Sequence, residues 1–567
     1  MMMPAARWAS IVRMGALGLA TACVAPERPA DIAVYASGAD LESGNPLVTT
    51  HPLARQVQRY ALFVTLVRHD TLLQPVPYLA RAWRWADGRR TLRFTLVDGL
   101  RWHDGAPTTA RDAAFTLEAA RDPATGFPRV SALATLTGAE AVDDTTLVLR
   151  FSAPQADVPP ILVELPIAPA HLLAGVPRAD LRRHQFGREP LGNGPFRFGG
   201  RRPGQRWVFE RNADFPATLG GPPRLRRLVV AVVDEATTKF AGLVSGELDV
   251  AGISPPMASL VARDPALLVV EYPLLLSTGL VFNPERPPFD DPRVRSAVSL
   301  SVDRRRIIDV ALAGYGVPAS GGVPPDNPLA LADPPALDTV RADSLLDAAG
   351  WRRVAGGRRQ REGRQFEVEL LTVGSADNAI EQLIQADLAA RGIAVGIRQL
   401  ELATFLSRAR ESPRRFDMLI TGVPGDLGLS HLASLFDSRF AGGALDYTGF
   451  HTPRLDSMFD RTRAAADPTE VRAAWLAVQR EVARHVPIAW IYHSRGVQGL
   501  SSRLRNVTMD LRGEMVTLTQ WQIGRATNGG VTGASRAGNG GGAAAETNGK
   551  APVRGRGLGP SPRSDPR

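Results

Sequence analysis

The stretch from Tyr78 to Asp122 constrains the chain more than any other. Leu92, Phe94 and Leu96 alternate with Arg93 and Thr95, the period of a half-buried strand. Asp98-Gly99 is a turn signal, and a second short strand through Leu100 and Trp102 is expected after it. His103-Asp104-Gly105 turns the chain again. Thr109-Ala110-Arg111-Asp112 then has the spacing of a capping box, in which hydroxyl and carboxylate satisfy the first free amides of a helix. Ala113, Ala114, Leu117 and Ala120 give that helix a small, apolar face.

A chain of 567 residues exceeds one ordinary core, so two or three domains are expected. Apolar content of 44% and charged content of 22% fit a soluble globular body. The net charge of +10 comes from arginines scattered through every segment. Scattered charge without interleaved aromatics gives no nucleic-acid footprint. Arg7 and Arg13 followed by the short apolar run Met14 to Ala22 read as a signal peptide over 1–22. Ala20-Thr21-Ala22-Cys23 resembles a bacterial lipobox, with Ala20 where leucine is usual, and Cys23 is the only cysteine. Acylation there would hold a soluble body at a membrane surface. Residues 524–567 are rich in Gly, Ala, Pro and Arg and nearly free of large apolar groups, so they read as a disordered tail.

Farther along, Pro190 to Phe198 (PLGNGPFRF) is a glycine-proline turn running into a strand, which argues against phosphate binding because no helix follows. Phe366 to Thr372, Ala379 to Ala390 and Ile393 to Ile397 read strand, helix, strand, a βαβ unit. Arg55 to Val67 has helical spacing.

The order of motifs from Leu79 to Asp122 resembles the signature of the extracellular solute-binding proteins of family 5, the peptide- and nickel-type receptors of ABC importers. Val97-Asp98 departs from it, standing where a basic residue is usual. The PLGNGPF segment, Phe289 to Ala297 (FDDPRVRSA), Val302-Asp303-Arg304 and Gly246 to Ala251 (GELDVA) resemble further family segments, and the likeness runs from about Asp31 to Ile523. It implies an α/β fold: a two-lobed periplasmic binding protein of type II (cluster C) with an additional subdomain, hinge-linked. Lobe I would comprise 31–50, 186–282 and 488–523, the extra subdomain 51–185, and lobe II 283–487. The chain would cross between lobes near Ser277 to Phe282 and near Trp490 to Tyr492, and hinge motion would close it over a ligand.

The implied function is a solute receptor for an ABC importer that captures peptides between the lobes, at the periplasm or cell surface. Its partners would be the permease subunits and, through Cys23, the membrane; the receptor itself would be a monomer. In peptide-binding members an aspartate of the second lobe pairs with the peptide's amino group. Here the matching stretch is Gly422 to His431 (GVPGDLGLSH), where Asp426 is the available carboxylate and Val423 replaces the usual tryptophan. Ser277, Thr278, Phe282, Tyr447, Trp490 and Tyr492 are the other cleft candidates, by their places at the crossings and the lobe edge. Other solutes remain open: a nickel chelate, an oligosaccharide or an opine. An exported hydrolase on the same scaffold is the alternative of a different class. His103-Asp104 adjoin, but there is no G-x-S-x-G elbow and no His-Glu-x-x-His spacing. No catalytic residue, metal ligand or cofactor is therefore assigned.

Overall fold

The computed structural model describes residues 31–49, 51–374 and 378–524. The expected leader, Cys23 and all but the first residue of the expected tail lie outside the described residues. A mixed sheet of eleven strands runs through both lobes. Its path is 394–400, 367–373, 418–424, 267–282, 488–501, 250–252, 32–37, 227–232, 206–211 and 196–202, with 316–318 added on the edge of 488–501.

Two long strands make this continuity possible. Leu267–Phe282 and Ile488–Ser501 pair antiparallel from Leu267↔Ser501 to Val281↔Ile488, with an irregularity between Pro273 and Ser277. One end pairs with the strand Val250–Gly252 and the other with Met418–Pro424, so each long strand belongs to both lobes. The sequence pattern had marked only the second-lobe ends of both crossings; the strands extend well beyond them. The expected βαβ unit is present: Glu367–Val373, helix Ala379–Ala389 and Ala394–Leu400, with the two strands parallel.

The opening motif forms a separate four-stranded sheet in the order 80–86, 91–96, 146–151, 136–141. Thr91–Leu96 is paired on both edges, with Trp83 opposite Phe94 on one side and Leu147 opposite Phe94 on the other. That leaves no slot for the strand expected at Leu100 to Trp102. The chain instead folds back in a tight loop, closed by Trp102 N donating to Ala106 O at 2.8 Å and by a single bridge from Arg101 to Pro107. The capping box of Ala110–Arg121 is formed, with Thr109 N donating to Asp112 Oδ2 at 2.8 Å. Asp112 also accepts from Trp102 Nε1 at 3.3 Å and Ala170 N at 2.8 Å, so one buried carboxylate ties together loop, helix and neighbouring segment.

The helix expected from Arg55 begins earlier, at Pro52, and ends at Leu62 after a wide π turn over Gln58–Leu62. The PLGNGPF turn packs against that end. Asn193 N and Gly194 N both donate to Leu62 O, and a methyl at Gly192 would sit 2.0 Å from the same oxygen. Only glycine allows this approach. His103 Nε2 lies 3.0 Å from Gly194 O, so the two sequence motifs are clasped together. The second-lobe motif is likewise structural. Arg295 donates to His485 O at 2.9 and 2.7 Å, and Arg304 to Trp490 O at 2.8 Å and Ser299 O at 3.0 Å.

Candidate functional site

Across the two long strands, the segment 51–185 and the second lobe face one another. Ser131 Oγ and Ser434 Oγ are 3.4 Å apart, and Gly428 stands against Pro160, where a methyl would lie 3.2 Å from Cγ. A cavity of about 510 Å³ lies between these walls. His69, Ser131 and Pro159 line it from one side, and Asn327, Ser430 and Trp475 from the other. Burial pushes the His69 imidazole down to about 4, with Arg59 adding to it, so this ring is neutral at pH 7. The volume falls within the usual range for a small-molecule site.

The loop that carries Asp426 borders this cavity through Leu427 and Gly428. Asp426 is largely buried, and its carboxylate is used by its own loop. Oδ1 accepts Ser430 N at 3.0 Å; Oδ2 accepts Ser430 Oγ and His431 N at 2.9 Å each. His431 Nε2 lies 3.0 Å from Gly322 O, and its Nδ1 lies 3.2 Å from Asp426 Oδ2. Burial alone would raise the Asp426 pKa; the His431 and Ser430 groups outweigh it and hold the carboxyl well below the usual range. It fastens the start of the helix Ser430–Phe436.

The other residues singled out at the crossings are placed in cores. Phe282 and Tyr492 pack in one second-lobe cluster with Leu280 and Ile491, and Trp490 and Tyr447 in another with Val281 and Ile488. The physical reason is the position of the crossings at the centre of the sheet, with helices covering both faces. A bulge between Thr278 and Gly279 puts Ile491 and Tyr492 on the same face, breaking the alternation. Thr278 is buried opposite Tyr492. Ser277 Oγ lies 2.8 Å from His493 Nδ1 and donates toward Gly322 O at 3.3 Å. A serine beside a histidine is half of a hydrolytic triad. Here both side chains are buried, and His493 Nε2 has no hydrogen-bond partner, so no carboxylate orients the ring. Burial also pushes the imidazole down to about 4, a poor base at neutral pH. Asp426 thus stands in a loop that borders the cavity through its neighbours, while the aromatics of the crossings lie in the cores.

Two charged groups the sequence did not single out lie on the first-lobe side. Arg55 makes no side-chain hydrogen bond or ion pair among the described residues, and its Nε is buried without a partner. Burial and Arg129 push its guanidinium down to about 10, while Glu164 and Asp426 act the other way. Glu514 is a carboxylate against the face of the first-lobe sheet, where its Oε2 accepts the Tyr35 hydroxyl. Neither carries a spacing signal; each stands alone in a segment without a motif. Among the described residues no group of three or more His, Cys, Asp or Glu is placed to hold a metal, and no helix is long and apolar enough to cross a membrane.

Comparison with known proteins agrees with this architecture. The model of the bacterial extracellular solute-binding proteins, family 5 (middle), matches residues 74–437. Protein XP55 of Streptomyces lividans is 28% identical over 465 residues, covering 80% of this chain and 83% of that protein. The oligopeptide-binding protein AppA of Bacillus subtilis is 22% identical over 518 residues, covering 88% of this chain and 93% of that protein. The structure of that AppA with a nonapeptide superposes with a TM-score of 0.74 at 22% identity, covering 87% of this chain and 99% of the other. NikZ of Campylobacter jejuni, bound to Ni(L-His), superposes with a TM-score of 0.75 at 19% identity, covering 87% of this chain and all of the other.

Proposed function

Because the chain belongs to family 5 of the bacterial extracellular solute-binding proteins, we propose that it captures peptides between its lobes and delivers them to the permease of an ABC importer. The observation that carries this reading is the cleft itself: a 510 Å³ cavity between two bodies joined by two long strands. Such a joint permits closure by small changes at a few residues. The similarity to oligopeptide-binding AppA favours a peptide over the nickel complex seen with NikZ.

The protein acts as a receptor, not an enzyme: the ligand leaves as it came. Cys23 anchors it as a lipoprotein, and it works as a monomer, since capture needs one cleft only. The reading is tested by thermal denaturation against a mixed library of di- to pentapeptides. A rise in Tm with peptide concentration supports it, because a ligand that binds only the folded state stabilises it. No shift with any peptide, alongside a shift with a nickel–histidine complex or an opine, overturns the peptide assignment.

A further inference from the structure

One wall of the cavity is the tip of a hairpin that joins the short strands Val67–His69 and Pro75–Pro77. Leu72 lines the cavity from that tip and is 72% exposed, a large apolar side chain with little cover of its own. Its setting is firmly held. Asp70 Oδ1 accepts Leu72 N and Gln74 N at 2.9 Å each, Asp70 O accepts Leu73 N at 3.1 Å, and Asp70 N donates to Gln74 O at 3.0 Å. Leu73 takes φ +61, a left-handed conformation that a bulky residue adopts only where its surroundings impose it. The amides of Leu72, Leu73 and Gln74 are therefore spent within the tip. What the tip offers a ligand is the leucine side chain.

The other walls are also poor in donors. Pro154, Pro159 and Pro160 on one side, and Pro328 and Pro468 on the other, have no N–H to give. Val158 N is taken by Asp157 Oδ1 at 2.7 Å, Leu329 N by Asn327 Oδ1 at 2.9 Å and Ser430 N by Asp426 Oδ1 at 3.0 Å. A peptide main chain pressed against these walls would lose water from its carbonyls without gaining donors for them, which is costly. Charged side chains fare no better. The His69 ring is neutral, Arg463 is engaged by Asp437 and Asp460 at 3.0 Å each, and Asp157 and Arg472 are exposed to solvent. An apolar side chain meets neither penalty. Opposite the hairpin it finds Leu329, Val471 and Trp475, which belong to the second-lobe core or pack on it.

We propose that this cavity receives bulky apolar side chains of the ligand, packed between Leu72 and the Leu329, Val471 and Trp475 wall, while the ligand's main chain stays outside it. This rests on the peptide reading above and names the class of peptide: one carrying leucine- or phenylalanine-like residues. The experiment is calorimetric titration with alanine tripeptides that carry one guest residue, Leu, Phe, Ser, Lys or Glu, placed at each position in turn. At the best position the Leu and Phe peptides should bind wild type about ten- to a hundredfold more tightly than the Ser peptide, the gain expected from burying such a side chain. The Lys and Glu peptides should bind no better than Ser. Leu72→Ser should cut the preference severalfold with an unchanged Tm, since that side chain is largely exposed without ligand. Val471→Thr, alike in shape but carrying a hydroxyl, should cut it from the opposite wall. Equal affinities for all guests in wild type, or a preference kept in full by both variants, overturns the assignment while leaving the peptide reading intact. If wild type binds none of the peptides, the peptide reading fails and the assignment falls with it.

Discussion

Replacing Asp426 with asparagine removes one negative charge from a carboxylate that holds two backbone amides and a hydroxyl at 2.9 to 3.0 Å. Hydrogen bonds to a charged group contribute about 1.5–3 kcal/mol each. Asparagine keeps one acceptor oxygen and turns an NH₂ toward donors it cannot pair with, so a net loss of about 2–3 kcal/mol is expected after partial relaxation. For large domains about 2–4 °C of Tm accompanies each kcal/mol, which makes the expected drop roughly 4–12 °C at pH 7. The pH dependence follows from the sign of the shift. The Asp426 pKa is depressed in the folded protein, so its stabilisation is present above the unfolded value near 3.9 and is lost as pH falls through the lower folded value. Differential scanning calorimetry of wild type and variant should show the full gap at pH 7 and a closing gap below about pH 4. An unchanged Tm at pH 7, together with selective loss of free-amine peptides in the variant, would refute this reasoning and make Asp426 the ligand's own counter-ion.

Other substitutions test how the frame holds the cleft. Gly496→Ala should destabilise by about 1–3 kcal/mol, because its methyl would lie 2.1 Å from Cζ of Tyr272; denaturant titration reads the effect. Arg304→Lys should cost about 2–4 kcal/mol, since one ammonium cannot reach Trp490 O, Ser299 O and Ser299 Oγ together; a Tm equal to wild type would count against the clasp. His451 Nε2 lies 3.2 Å from the carboxylate of buried Asp446, which raises the imidazole's pKa above its ordinary value. Its stabilisation is full below about 6.5 and fades as pH rises through the raised value, so His451→Gln should lower Tm more at pH 6 than at pH 9.

Local patterns that pay off within a few residues could be read directly from the sequence. The Thr109–Asp112 capping box forms as its spacing implies. The βαβ unit also followed from periodicity. What failed depended on partners far away in the chain. Leu100 to Trp102 lost its strand because Ala80–Ala86 and Thr146–Phe151 already occupy both edges of Thr91–Leu96. Phe282, Trp490 and Tyr492 were drawn to the cleft by their position at the crossings, but a crossing strand in mid-sheet is covered on both faces. Glu514 was invisible for the opposite reason. Its surroundings are Tyr35 from the first strand and Tyr272 and Gln498 from the crossings, and no single segment records that meeting.

The central claim is capture and intact return of a peptide. Native mass spectrometry of the protein purified from its host, followed by acid release of whatever it carries, tests that directly. The account predicts a bound series of short peptides with free amino ends, released at unchanged mass after prolonged incubation at pH 7. Recovery of cleaved products, or of a non-peptide solute in their place, would contradict it.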